Sequence, residues 1–264
     1  MPDTGHNAMT RSDPKAGIPS LRPPGSFTLI SYNLWQSRAQ RELAGLIDAH
    51  EPDLLCLQEV AASHLPQRLG SLRLASATGT NHYRVALYVR DDRFEIVNAA
   101  SFRLFRSLHD RLLGYTGERL AAARLRDRVT GDDLVVGSLH ATPLTDPNTS
   151  RLRQVSDAHR HLRRLGHRLP VVMAGDFNYP ILTSTLRLHV WSQGFRLARS
   201  RTGTYQNHNR KYLKGSFDLA TTSRLTVDEI VTLPQKASDH KPIRLTLRYP
   251  ARPDAAPPTE TIVP

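Results

Sequence analysis

Val171-Val-Met-Ala-Gly-Asp-Phe-Asn178 runs four apolar residues into a glycine, a carboxylate and an amide. An uninterrupted apolar run this short reads as a strand buried on both faces. Asp176 and Asn178, placed where that strand ends, are either turn formers or polar groups presented at a sheet edge. The pattern recurs outward along the chain. Residues 27–34 alternate and carry Asn33, Asp53-Leu-Leu-Cys-Leu-Gln-Glu59 ends on Glu59, and Val135-Val-Gly-Ser-Leu-His140 ends on His140. Further strands are expected at residues 82–90, 94–105, 119–126, 134–139, 217–221, 225–231 and 243–249. Helical spacing appears at residues 38–49, where Leu43, Leu46 and Ile47 share a face, and at 181–191. A third helix opens at Asp146-Pro147, a cap residue followed by proline in the first turn, and continues through Leu152, Val155, Leu162 and Leu165. Strands outnumber helices, and the helices interrupt them irregularly. This suits a layered α/β or α+β sandwich better than an alternating barrel.

The chain has 264 residues, 39% of them hydrophobic, which suffices for one substantial core. Residues 1–25 and 250–264 are rich in proline without apolar periodicity and read as a flexible leader and tail around one domain, 26–249. No apolar run is long enough to span a bilayer, and no classical export signal is visible, so a cytoplasmic location is expected. The one cysteine, Cys56, sits in an apolar run and reads as a small buried hydrophobe. A disulfide framework is excluded. Lys and Arg total 36 against 24 Asp and Glu, a formal charge of +12, which raises the local concentration of polyanions without naming one.

Five polar positions interrupt strand ends: Asn33, Glu59, His140, the pair Asp176 and Asn178, and the pair Asp239 and His240 in Ser238-Asp-His-Lys-Pro242. Singly, each has an ordinary explanation as a turn former or solvated side chain. Together, carboxylates and amides form an oxygen donor set suited to Mg2+ or Mn2+, and the histidines suit proton handling near neutral pH. Cys/His pairs at zinc spacing are absent from the sequence.

The ordered set Tyr32-Asn-Leu34, Pro52-Asp-Leu-Leu-Cys-Leu-Gln-Glu59, Ser138-Leu-His140, Gly175-Asp-Phe-Asn178, Phe217-Asp-Leu-Ala220 and Ser238-Asp-His-Lys-Pro242 resembles the endonuclease/exonuclease/phosphatase superfamily, deoxyribonuclease I-like members in particular. The resemblance spans residues 27–249. It implies a four-layered α/β sandwich, two mixed β-sheets packed face to face with helices outside. It further implies a phosphoric ester hydrolase dependent on Mg2+ or Mn2+. On this resemblance Asn33, Glu59 and Asp239 correspond to the metal-binding positions. Asp176 and Asn178 correspond to the pair that positions the attacking water and the scissile phosphate, Asn178 also serving as a phosphate contact. His240 corresponds to the histidine beside the phosphate, Asp218 to the carboxylate that orients it, and His140 to a second catalytic histidine. The carboxylate that supports this second histidine in secreted deoxyribonucleases has no counterpart; Tyr83 stands near its place. Arg119 resembles an arginine that holds a substrate phosphate, and equally fits an ordinary strand arginine.

The expected activity is a metal-dependent nuclease, an endonuclease acting on DNA, with no obligate protein partner implied. Two alternatives stay open. One is a phospholipid or inositol phosphate hydrolase of the same superfamily, for which the sequence offers no convincing apolar membrane-facing loop. The other is a noncatalytic nucleic-acid-binding protein. Arginines crowd residues 151–168, where the outer face of an amphipathic helix is the ordinary explanation. The polar, aromatic and basic segment 204–214 has a composition suited to stacking and phosphate contacts, or to a plain exposed loop.

Overall fold

The structure, a computed structural model, describes residues 25–79, 83–206, 214–234 and 236–250. Apart from residues 25 and 250, the expected leader and tail lie outside the described residues, as do residues 207–213 of the polar segment. In chain order the strands are β1 (Phe27–Asn33), β2 (Leu54–Ala61), β3 (Arg68–Leu69), β4 (Leu72–Ala77), β5 (Tyr83–Arg90), β6 (Phe94–Arg103), β7 (Glu118–Asp127) and β8 (Asp133–His140). They continue with β9 (Val171–Asp176), β10 (Arg196–Ala198), β11 (Tyr205–Gln206), β12 (Lys214–Gly215), β13 (Asp218–Ser223), β14 (Thr226–Thr232) and β15 (Ile243–Arg248). The helices are α1 (Leu43–His50), α2 (Leu108–Leu112), α3 (Asn148–Leu165) and α4 (Thr183–Ser192).

Two mixed sheets carry the fold. One has the order β14-β15-β1-β2-β5-β4-β3 and the other β10-β13-β9-β8-β7-β6. Alternating side chains build three apolar layers from these strands. Leu29, Leu54, Cys56, Ala121, Leu134, Val136, Val172 and Ala220 meet between the sheets. The opposite faces pack outward: Ile30, Leu55 and Leu57 with Leu43 and Ile47 of α1, and Val135, Leu139 and Met173 with Val155 and Leu162 of α3 and Leu186 of α4. Apolar on both faces, the central strands read as continuous runs rather than alternating ones. The result is the four-layered sandwich with helices outside.

Among the described residues only β1–β2 and β8–β9 pair in parallel. A parallel pair needs a crossover, supplied by α1 and α3, so the C-terminal ends of all four strands emerge at one edge of the sandwich. Asn33, His140 and Asp176 close their strands there, and Glu59 stands two residues before the end of β2.

Several boundaries differ from the sequence reading. The first helix opens only with a 3-10 turn at Gln40–Glu42, because Trp35, Gln36 and Ser37 adopt φ of 46°, 56° and 65°. The cap of α3 is Pro147, in extended conformation; the Asp146 carboxylate instead accepts a hydrogen bond from the Thr142 hydroxyl. β4 carries only two leucines, separated by Arg73 and followed by small residues, too weak a pattern to read as a strand, and α2 is a five-residue helix inside the connection from β6 to β7.

Candidate active site

The edge residues are set by backbone first. Asn33 closes β1 and is fully buried. Its Oδ1 accepts the Trp35 amide at 3.0 Å, and its Nδ2 donates to Glu59 at 3.1 Å and to Asp176 at 3.0 Å. Glu59 lies where β2 shifts register between Leu57 and Val60, with φ +56°, and such a bulge re-aims a side chain at a strand end. Its second oxygen accepts the Gln36 amide at 2.9 Å. The left-handed loop after β1 therefore holds the amide and the carboxylate together.

On the other sheet, β8, β9 and β13 align three polar residues. His140 pairs in register with Asp176, and Asp176 with Asp218. Gly175 permits this close approach, since a Cβ there would lie 1.9 Å from the Leu139 carbonyl oxygen. Asp176 accepts the Asn178 amide at 2.9 Å, and the Asn178 side chain donates to the Ala141 carbonyl at 3.1 Å.

His240 reaches this edge from the loop before β15. Its Nδ1 lies 2.8 Å from Asp218 and its Nε2 3.7 Å from Asp176. The Asp218 backbone amide is held by the Thr204 hydroxyl at 3.0 Å. Ser238 ties the loop down: its hydroxyl donates to the Asn33 carbonyl at 2.7 Å and accepts the His240 amide at 3.0 Å. Burial penalises a charge on His240, but Asp218 and Asp176 outweigh that penalty and raise the imidazole to about 10. His140 has the opposite environment. Burial, reinforced by Arg119 and His240, pushes it down to about 3, which favours the neutral ring. Its Nε2 stands 3.7 Å from both Glu59 and Asp176, and among the described residues no carboxylate hydrogen-bonds the ring. Burial also pushes the Asp176 carboxyl up, against the pull of His240.

Arg119 departs from a free phosphate ligand. Its guanidinium is paired with buried Asp110 from α2 and donates to the His140 carbonyl at 3.1 Å, which leaves two of its five N–H groups. Ser238, Thr204 and Asp110 position the site and were not picked out from sequence. Ser238 had a signal, as part of Ser238-Asp-His240, and Thr204 opens the polar segment 204–214; Asp110, on α2, is a lone polar residue with no signal.

Glu59, Arg119, His140, Asp176, Asn178, Asp239 and His240 face one cavity of about 700 Å³. Its remaining walls are largely apolar and aromatic, with Trp35, Tyr83, Tyr115, Leu144, Ile181, Tyr205 and Phe217. Leu108, Leu112, Leu113, Leu144, Ile181 and Leu182, all 50% exposed or more, lie in the connections after β6, β8 and β9 at this same edge. An apolar rim is thus present that the sequence reading did not find.

A model of the endonuclease/exonuclease/phosphatase family matches residues 30–240, most of the chain. The chain belongs to this family. Family members are phosphoric ester hydrolases that generally use divalent metals. The fold is shared with a family protein from Bacteroides thetaiotaomicron, at a TM-score of 0.72 and 18% identity over 87% of this chain and all of that one. It is also shared with ANGEL2, described as a 2',3'-cyclic phosphatase and solved with adenosine-2',3'-vanadate, at a TM-score of 0.64 and 14% identity over 84% and 95% of the two chains. Protein angel of Drosophila melanogaster is 27% identical over 190 residues, 58% of this chain. The chain spans 52% of that relative's length.

The donor set fits a hard divalent ion of the kind the family uses. Among the described residues no three His, Cys, Asp or Glu side chains form a closed cage. Glu59 and Asp239 nonetheless face one cavity beside the Asn33–Asp176 pair. Mg2+ is commonly bound through one or two carboxylates, with water and phosphate oxygens completing its shell. No helix among the described residues is long and apolar enough to cross a membrane.

Proposed function

We propose that the protein is a divalent-metal-dependent phosphodiesterase that cleaves nucleic acid, with DNA as the substrate class and the strand entering unpaired. The observation that carries this reading is the buried, cationic His240 set on Asp218 inside a cavity whose outer walls are aromatic. A protonated imidazole is a donor for a phosphoryl oxygen, and aromatic walls accept the face of any base. The net charge of +12 favours a polyanion over a small substrate.

In this mechanism Glu59 and Asp239, with Asn33 hydrogen-bonded to Glu59, would hold Mg2+ or Mn2+. When bound, such an ion would supply charge neutralisation to the phosphate being cleaved. Asp176 and Asn178 orient the attacking water and the phosphate, Asn178 restrained through Ala141. His240 donates from Nε2 to a nonbridging oxygen while Asp218 holds Nδ1 and keeps the ring charged. His140, neutral, offers its ring to a second oxygen without delivering net charge. Arg119 fixes the His140 backbone and turns its remaining N–H groups to the phosphate. ANGEL2, solved with an adenosine-based vanadate, supports a nucleotide in such a cavity.

The test is hydrolysis of single-stranded oligonucleotides, duplexes and plasmid with Mg2+ or Mn2+, against EDTA controls. Inactivity on all three, beside release of headgroups from phospholipid vesicles, would sink the reading. That second outcome has its own support: the apolar rim of Leu108, Leu112, Leu113, Leu144, Ile181 and Leu182 suits a lipid surface as well as unpaired bases.

A further inference from the structure

We propose that the groove between α3 and the C-terminal end of α4 binds the backbone phosphates of a nucleic-acid strand whose reacting nucleotide lies in the catalytic cavity. The inference rests on the nucleic-acid reading above and adds a second contact site to it. A depression of about 570 Å³ is lined by Ser156, His159, Arg160, Arg163, Arg164, His167 and Gln193. Three arginines and no carboxylate face it. At 100° per residue, Arg153, Ser156, Arg160, Arg163 and Arg164 fall within one sector of about 100° on α3, opposite the core side of Val155, Ala158 and Leu162, and His167 follows just past the end of the helix.

These cations are not equally committed. Arg163 donates to the Gln193 carbonyl at the end of α4 and lies over the Phe195 ring, so it serves the packing of the two helices. Arg160 pairs with Asp157 at 2.7 Å on the exposed face, where such a pair is weak. Arg164 and His167 make no hydrogen bond or ion pair among the described residues. The helix dipole accounts for cations in the last turn of α3, whereas Arg160 and Arg153 precede that turn.

The groove connects to the site along the helix. Arg151, in the first turns of α3, donates to the carbonyl of Pro143, which lines the catalytic cavity. From Arg151, which is buried on the core side of the helix, to Arg164 the axis rises about 20 Å. Arg153, over the Phe105 ring, stands between the two ends. A strand leaving the cavity over this face meets cations at Arg153, Arg160 and Arg164 in turn.

The experiment compares wild type, R160Q/R164Q and R160K/R164K on single-stranded DNA of 4 and 20 nucleotides, with salt varied. For R160Q/R164Q the KM for the 20-mer should rise about tenfold, with kcat and the 4-mer parameters unchanged. The slope of log KM against log salt should fall by about 1.4, for two phosphate contacts at roughly 0.7 each. R160K/R164K, which keeps the charge, should recover most of the 20-mer affinity. A 20-mer KM and salt slope equal to wild type in R160Q/R164Q would overturn the groove while leaving the nucleic-acid reading intact. If wild type hydrolyses bis(4-nitrophenyl) phosphate but neither oligonucleotide, the nucleic-acid reading fails and the groove with it.

Discussion

His240 Nδ1 and Asp218 Oδ2 lie 2.8 Å apart, both side chains almost wholly out of solvent. In metal-free protein this pair keeps the imidazole charged up to about pH 10. Because its folded pKa lies above the unfolded value near 6.5, the stability it contributes is complete below pH 6.5 and is lost as pH rises through 10. Asp218→Asn should return the titration toward neutrality and lower kcat by about 10²–10³, the scale of one preorganised donor. Imidazole NMR titration in EDTA, beside a kcat profile, checks both.

Ser238→Ala should affect stability and turnover together. The hydroxyl is fully buried and bridges the Asn33 carbonyl to the His240 amide. Its loss strands two buried backbone groups at a cost of about 1–3 kcal/mol. For a domain of this size that lowers Tm by roughly 2–4 °C per kcal/mol, measurable by thermal denaturation.

Gly175→Ala should not yield a native protein. The new methyl would fall 1.9 Å from the Leu139 carbonyl oxygen, backbone that cannot move without breaking the β8–β9 ladder. Soluble expression with an unchanged Tm would contradict this placement.

His159 predicts an acid limit to stability that is independent of catalysis. It is buried, bonded to Gln193 at 2.8 Å and Thr221 at 2.9 Å and stacked on Phe195, and burial pushes it down to about 3. Its folded pKa lies below the unfolded value. Stability is therefore complete above pH 6.5 and falls by up to about 1.4 kcal/mol per unit as pH drops toward 3. His159→Gln should flatten that slope in urea denaturation across pH 4–7.

Much of this was legible in the sequence because strand ends and chemistry coincide. The run from Val171 to Asn178 carries a buried strand, the glycine its neighbour demands, and two site residues at once. Glu59 and His140 could be read the same way. What stayed hidden depends on contacts between distant segments. Asp110 pairs with Arg119 across a connection, Thr204 anchors Asp218, and Trp35, Gln36 and Ser37 are left-handed without a glycine to signal it. The apolar rim also escaped notice, because its leucines are scattered over three connections and gather only when the parallel pairs bring those loops to one edge.

In the proposed reaction His240 and Asp176 act together at a metal-dependent phosphodiesterase site. The most direct measurement is the single-turnover rate of single-stranded DNA cleavage by wild type, His240→Ala and Asp176→Ala, with Mg2+ and with EDTA. Wild type should cleave only with the metal, and each variant whose circular dichroism stays native should lose about 10³ or more in rate. Wild-type rates in either variant, or cleavage undiminished by EDTA, would contradict it.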